Sequence, residues 1–171
     1  MMQRLHIVSA HRAPRTRGFT MVEIMVVVVI IGLLAAMALP TYRRITMRSK
    51  TAALVSDLRS YSTAFITYNL QNGKWPADEL PQKIPAVMSG ALPAGFARKS
   101  PIGGVYKWNY DVSADGVTAK AAIVIETVGS DVVSDDADLR AMIDREMDDG
   151  DLETGNVVVG STNSLVFIIE K

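Results

Sequence analysis

The residue types that carry most enzyme chemistry are nearly missing from this chain of 171 residues. It contains no cysteine, and both histidines, His6 and His11, fall within the first eighteen residues. Thiol and imidazole groups dominate nucleophilic catalysis, proton transfer and transition-metal binding. The sequence therefore argues against an enzyme, and it excludes disulfides and thiolate metal sites.

Acidic side chains are densest in the run Asp148-Asp149-Gly150-Asp151-Leu152-Glu153. Calcium favours several oxygen ligands supplied by a tight loop with glycine. The run departs from EF-hand spacing and lacks the distal glutamate of that motif in register. We therefore expect no obligatory cofactor, with Asp148, Asp149, Asp151 and Glu153 as calcium candidates. The alternative is a solvated turn that joins a helix to a strand.

Charge is distributed unevenly although the formal net charge is +0. Residues 1–18 hold four arginines and no acid, so every Asp and Glu lies after Gly18. A nucleic-acid-binding protein would more often show a basic domain, so we expect no nucleic-acid partner.

The segment 19–39, FTMVEIMVVVVIIGLLAAMAL, is apolar except for Glu23. Its length suits a helix that crosses the hydrocarbon core of a membrane. A secretory signal peptide places its apolar run before the cleavage site and ends it with small residues. Here a basic, polar stretch comes first, which favours a membrane helix that is retained in the mature protein.

The stretch Arg17-Gly18-Phe19-Thr20-Met21-Val22-Glu23 resembles the prepilin peptidase recognition site of the type IV pilin and pseudopilin family. The resemblance runs from Arg12 to about Met47, and it includes a helix glycine, Gly32, and a proline, Pro40. It implies that a leader, residues 1–18, is removed by cleavage after Gly18. It also implies that the new N-terminal residue, Phe19, is N-methylated.

The same resemblance gives roles to two residues of the apolar helix. Glu23 is expected to pair with the free α-amine of Phe19 on a neighbouring subunit during assembly. An ionisable group in a membrane helix is normally paired or functional, although Glu23 could also snorkel to the interface or be protonated. Pro40 is expected to kink a helix that continues, and the alternative is that it ends the membrane span.

The resemblance further implies a location and partners. The protein is expected to cross the bacterial inner membrane once, with the leader cytoplasmic and the C-terminal domain periplasmic, before extraction into a filament. Its expected partners are prepilin peptidase, other copies and pilin-like subunits in a helical filament, an inner-membrane assembly platform and membrane lipid. We expect a pseudopilin of a type II secretion system, since many major pilins carry a C-terminal disulfide loop that this chain cannot form. The alternatives are a major or minor type IV pilin and, less favoured, an unrelated membrane-anchored binding domain or enzyme.

The pattern stays helical from residue 40 to residue 72, where Asn72-Gly73 supplies a stop signal. An apolar stripe at alternating steps of four and three predicts core packing on one face of this amphipathic continuation. The stripe comprises Leu54, Leu58, Tyr61, Phe65 and Tyr68. A basic cluster at its start is expected to touch lipid phosphates or acidic neighbours, or to be merely solvated. That cluster comprises Arg43, Arg44, Arg48 and Lys50.

Residues 73–171 are expected to form a periplasmic globular domain. The proline-rich stretch 75–102 predicts a long loop, with short helical turns, for example around 85–89, or a surface that faces other subunits. Strand patterns follow at 105–110 and 117–127 as a hairpin, and at 156–159 and 164–170, with a helix over 135–147. The predicted fold class is α+β: a long N-terminal helix, membrane-spanning and then amphipathic, packs on a small antiparallel sheet with one additional helix.

Overall fold

The computed structural model describes residues 18–114 and 117–171. The leader therefore lies outside the described residues apart from Gly18, and so does the tip of the predicted hairpin. One helix, α1, runs from Met21 to Asn72 over 52 residues. The chain divides between Thr41 and Tyr42 into two compact units, each of which contains part of this helix.

The first unit presents apolar surface that none of the described residues covers. Every described residue from 18 to 41 is exposed. An 18-residue window of α1 has a mean hydropathy of 2.8, and none of that window is buried. By length and composition α1 could therefore cross a membrane.

The second unit begins with the remainder of α1, which carries the predicted apolar stripe into a core. Leu54, Leu58, Tyr61 and Phe65 are each at most 2% exposed. The helix ends as the sequence predicts: Gly73 adopts a positive φ of 67°, and its N–H donates to the Asn69 carbonyl at 2.7 Å. Glycine reaches that left-handed conformation at little steric cost, which makes it a common helix terminator.

Four antiparallel strands form one sheet in the order β1-β2-β4-β3. The strands are β1 (Val105–Ala114), β2 (Val117–Glu126), β3 (Val157–Val159) and β4 (Leu165–Glu170). The predicted hairpin is confirmed, with β1 four residues longer than expected at its C-terminal end. A second helix, α2 (Ala137–Met147), lies between β2 and β3 in the chain. The predicted α+β class is thus confirmed.

Aromatic side chains join α1 to the sheet at the centre of the core. Phe65 stacks on Trp108 of β1, with ring centroids 3.8 Å apart and an interplanar angle of 10°. Tyr61 meets Tyr106 edge-on at 5.1 Å. The Tyr106 hydroxyl donates to Asp57 Oδ2 at 2.8 Å, so this buried ring keeps a polar partner. Burial, and to a lesser extent the hydrogen bond to Asp57, raise the pKa of Tyr106, so its hydroxyl stays protonated.

The segment 75–102 is a long loop, as predicted, but its side chains complete the core. It holds two short 3₁₀ turns, Ala86–Met88 and Ala94–Ala97, of which the first lies where a turn was expected. Five of its apolar residues are at most 8% exposed: Trp75, Met88, Leu92, Phe96 and Ile102. Such a loop escapes periodicity analysis because its apolar residues follow neither a helical nor a strand repeat.

Helix α2 begins two residues later than predicted because Asp136 is its N-cap. The Asp136 carboxylate accepts hydrogen bonds from the N–H groups of Asp138 and Leu139 at 3.1 and 3.2 Å. These bonds satisfy donors that the first turn of a helix leaves unpaired. On the inner face, Leu139 and Ile143 are buried.

Candidate functional site

The start of α1 is held by a reciprocal pair of side chains. The Thr20 N–H and hydroxyl both donate to Glu23 Oε2 at 3.2 Å. In return, the Thr20 hydroxyl oxygen accepts a hydrogen bond from the Glu23 N–H at 3.2 Å. This arrangement is a capping box, in which an N-cap threonine and a glutamate three residues later satisfy each other's backbone N–H groups.

The capping box gives Glu23 a partner within its own chain that the sequence reasoning missed. The signal was present, because threonine followed three residues later by glutamate, just before an apolar run, is the signature of a helix N-terminus. Both residues are exposed. Glu23 therefore lies at an exposed helix N-terminus, where a negative charge is favourable.

The predicted cleavage point is also accessible. Phe19 is 79% exposed, and no described atom outside its chain neighbours lies within 4 Å of the position that a Cβ on Gly18 would occupy. The peptide bond between them precedes the first helical residue, Met21. Residues 1–17 lie outside the described residues, so cleavage after Gly18 and methylation of Phe19 stay predictions.

Helix α1 does not end at Pro40, because regular helix extends on both sides of it. Proline lacks an N–H, so the carbonyl four residues earlier, that of Ala36, loses its helical donor. The kink proposed at Pro40 stays a prediction. The predicted basic cluster is exposed. Its members, Arg43, Arg44, Arg48 and Lys50, form none of the ion pairs found between described residues.

The second candidate site lies where α2 ends. One carboxylate oxygen from each of Asp144, Asp148 and Asp149 lies within 4.8 Å of the others. Two of these residues were predicted calcium candidates, whereas Asp144 was missed. The other predicted candidates, Asp151 and Glu153, are exposed and do not belong to this group. Asp144 lies in the last turn of α2, and Asp148 is the C-cap residue that follows the helix.

Backbone N–H groups hold the two outer carboxylates in place. Asp148 Oδ2 accepts hydrogen bonds from the N–H groups of Asn156 and Val157. Asp149 accepts from the Asp151 N–H at 2.9 Å and from the Thr154 hydroxyl at 3.0 Å. These hydrogen bonds lower the pKa of Asp149, and the bond from the Asp151 N–H has the largest effect. The loop therefore positions two carboxylates beside the end of α2.

Gly155 allows the returning chain to approach this cluster. Its φ is 77°, and a Cβ there would collide with the Asp148 carboxylate. Any other residue would thus be strained twice, by its backbone conformation and by the collision.

Asp144 differs from its two neighbours because it is completely buried. It is 0% exposed, and neither of its carboxylate oxygens has a hydrogen-bond partner among the described residues. Desolvation raises the pKa of Asp144, and the charges of Asp149 and Asp148 add to that increase. The Gly150 backbone N–H opposes the shift without reaching hydrogen-bond geometry.

Comparison with known proteins gives the chain a family. Residues 14–39 match the family model described as the prokaryotic N-terminal methylation motif. The chain is 32% identical over 130 residues to the type II secretion system core protein G of Klebsiella pneumoniae, covering 91% of that protein. It belongs to the type IV pilin-like family. The members of that family are structural subunits rather than enzymes.

Other relatives of this pilin-like protein are type IV pilins. It is 33% identical over 106 residues to a fimbrial protein of Neisseria meningitidis serogroup B, a match that spans 62% of the chain and 55% of the relative. The chain therefore spans about half the length of the Neisseria relatives. A major type IV pilin, PilA1 from Clostridium difficile, shares the fold with a TM-score of 0.53 and 19% identity, over 75% of this chain and 98% of that one.

Proposed function

We propose that this protein is a pseudopilin of a type II secretion system, cut after Gly18, methylated at Phe19 and assembled through α1. The match to the secretion protein G supports this reading because it covers 91% of that relative, against 55% of the meningococcal fimbrial protein. The proposed partners are prepilin peptidase, other pilin-like subunits, an inner-membrane assembly platform and membrane lipid. The globular unit is proposed to be periplasmic.

The observation that carries the proposal is the uncovered apolar surface of the first unit. Every described residue from 18 to 41 is exposed, and a long apolar surface of that kind requires lipid or protein around it. Lipid can cover the helix before assembly, and the same helix of neighbouring subunits can cover it afterwards. Assembly would thus transfer the apolar surface of α1 from lipid to contacts with neighbouring subunits.

Glu23 would make the polar contact between subunits during that transfer. Its bonds to Thr20 are 3.2 Å long and exposed, so the cap contributes about 1 kcal/mol. Cleavage after Gly18 would create an α-ammonium group on Phe19. The cap offers the Glu23 carboxylate only neutral donors, whereas an ammonium group adds the attraction of an opposite charge, which grows stronger away from water. The amine of an incoming subunit can therefore displace the cap.

Two substitutions separate the charge of Glu23 from its capping role. Glutamine is accepted at this capping-box position, so Glu23→Gln keeps the cap and removes the charge. Thr20→Val keeps the charge and removes the capping hydroxyl. We expect Glu23→Gln to leave cleavage intact but to reduce sheared filaments at least about tenfold, the equivalent of 1.4 kcal/mol in a binding equilibrium. Thr20→Val should assemble close to wild type.

The assay is the amount of protein in sheared filaments relative to the amount processed in the membrane, measured in the same cells. Normal assembly of Glu23→Gln would remove the pairing role of Glu23. Loss of assembly in Thr20→Val alone would instead show that assembly depends on the helix cap. Loss of processing in either variant would show that the substitution acts on the peptidase rather than on assembly.

A type IV pilin is the second candidate, favoured by the matches to the meningococcal and clostridial pilins. Deletion of the gene separates the two functions. A pseudopilin predicts loss of secreted proteins from the medium with surface filaments retained. A pilin predicts the reverse, and reintroduction of the wild-type gene serves as the complementation control.

A further inference from the structure

The basic cluster of α1 has no acidic partner among the described residues. All four members, Arg43, Arg44, Arg48 and Lys50, are exposed and take part in none of the ion pairs found there. The sequence holds no Asp or Glu from residue 24 to residue 56, so the neighbouring turns of the helix supply none either. Arg44 and Arg48 repel each other, because like charges four residues apart destabilise a helix. The cluster therefore favours an anionic partner from outside the chain.

The basic cluster begins close to the point where the apolar segment 19–39 ends. Arg43 lies four residues after Leu39, the last residue of that segment. Four residues of α-helix rise by about 6 Å, and even an extended chain of that length spans no more than about 14 Å. The headgroup layer on each side of the hydrocarbon core is roughly 5–8 Å thick. If the apolar segment crosses a membrane, the first arginines of the cluster must therefore lie in or beside the headgroups.

The residues of this stretch are those that membrane interfaces favour. Tyr42 is 69% exposed and directly precedes Arg43. Tyrosine is enriched where a bilayer meets water, because its ring is apolar and its hydroxyl is polar. The Cα–Cβ bonds of an α-helix tilt toward its N-terminus, so the side chains of Arg48 and Lys50 begin in the direction of the apolar segment. Their long stems can then carry the charge back toward the headgroups.

We propose that the basic cluster and Tyr42 bind the phosphate groups of anionic phospholipids on the periplasmic side of the inner membrane. A guanidinium group presents paired N–H donors that match phosphate oxygens, and the cluster contains three arginines. Binding would hold the end of the apolar segment at a fixed depth until the subunit is extracted into a filament. The inference rests on the proposed membrane-inserted stage of this subunit and names the lipid chemistry that the stage requires.

An acidic surface on a second copy of the chain is the other anionic partner that the basic cluster could meet. Such a surface reaches the cluster only in an assembled filament, whereas lipid phosphates adjoin it as soon as the apolar segment is inserted. Short segments on the exported side of a membrane usually hold fewer Lys and Arg than those on the cytoplasmic side. Four cations on the exported side therefore call for a partner at the membrane surface itself, which favours lipid.

Removal of the leader would leave the basic cluster as the main group of cations beside the apolar segment. Residues 1–18 hold four arginines, and the next basic residue after the cluster is Arg59. The processed chain would thus carry, before Arg59, only the cluster and the α-amine of Phe19 as cations. The contact with lipid is therefore best measured on the processed chain, where the arginines of the leader do not contribute.

The test is native mass spectrometry of the chain, produced with prepilin peptidase and purified from membranes in an uncharged detergent. Phosphatidylglycerol and phosphatidylcholine with identical acyl chains are added in equal amounts. Both lipids carry a phosphate, but choline cancels its charge in the second, so the comparison isolates the anionic headgroup. A Lys or Arg near an anionic membrane surface strengthens binding on the order of fivefold. Because several cations can share one phosphate, we expect phosphatidylglycerol to be bound at about tenfold higher occupancy by the wild type.

The decisive variant combines Arg43→Gln with Arg44→Gln, because glutamine keeps the helix and removes the charge. We expect its preference for phosphatidylglycerol to fall to about twofold or less. The matched control combines Lys74→Gln with Lys83→Gln, which removes the same charge from two exposed residues that form none of the ion pairs between described residues. The control should keep the wild-type preference. Both variants should melt within about 2 °C of the wild type, since all four side chains are exposed.

Three outcomes would overturn the proposal. The first is equal binding of the two lipids by the wild type. The second is an unchanged preference in the arginine variant; if that variant also loses filaments in cells, the basic cluster faces an acidic surface of a second copy instead. The third is an equal loss of preference in the lysine control, which would show that only net charge matters. The same spectrum gives the mass of the chain, so a retained leader would count against the proposed processing separately from the result on lipid.

Discussion

Replacement of Phe65 by alanine tests whether the aromatic stack anchors the second part of α1 to the sheet. Phe65 is 0% exposed and lies face to face with Trp108 at 3.8 Å. It also meets the ring of Phe96 at 5.7 Å and 67°. A buried Phe→Ala change costs about 3–5 kcal/mol, and the two ring contacts place this site toward the upper end. We therefore expect a loss of about 4 kcal/mol in the free energy of unfolding.

The assay is thermal unfolding of the full chain in detergent, followed by tryptophan fluorescence because Trp108 lies against the deleted ring. A loss of about 4 kcal/mol corresponds to a fall of roughly 10–15 °C for a unit of this size. Ile66→Ala is the control, since Ile66 is the next residue of the helix and is 41% exposed. It should cost less than about 1 kcal/mol. Equal losses of stability in the two variants would contradict the conclusion that Phe65 faces the core and Ile66 faces away from it.

Two further predictions concern the edges of the globular unit. Asp136→Ala should lower the free energy of unfolding by about 1 kcal/mol by removing the N-cap of α2, whereas Asp136→Asn should stay near wild type in chemical denaturation. Two hydrogen bonds lower the pKa of Glu170: the bond from Lys120 has the larger effect and the bond from Trp75 the smaller. The Glu170 carboxylate therefore stabilises the fold above about pH 4.3, and this stabilisation is lost as the pH falls through the lowered pKa. We expect Glu170→Gln to flatten the decline of the melting temperature below about pH 4.5. An unchanged acid decline in that variant would contradict this role.

The sequence was most informative where one physical rule acts along a continuous stretch. The membrane-length run 19–39 and the stripe of Leu54, Leu58, Tyr61 and Phe65 each follow a single requirement, to face lipid or to face a core. The strands of the sheet were predicted within a few residues for the same reason. End positions were less accurate because they depend on capping contacts, as at Asp136.

The sequence was least informative where contacts join distant or irregular segments. Met88 and Phe96 are buried by tertiary packing of a loop that has no repeat, so the pattern alone could not place them in the core. Asp144 is buried by the fold without a hydrogen-bond partner among the described residues, and no local pattern in the sequence reports this. The capping box of Thr20 and Glu23, by contrast, has a signature that is visible in the sequence, a threonine followed three residues later by a glutamate.

The central claim, a pilin-like subunit that assembles through a processed N-terminal helix, is tested most directly by the intact mass of the membrane-extracted protein. The chain is produced in cells with and without prepilin peptidase, and the mass is combined with sequencing of the N-terminus. The account predicts a chain that begins at Phe19 and carries one added methyl group only when the peptidase is present. A full-length chain in both cells, or a cut at another bond, would contradict it.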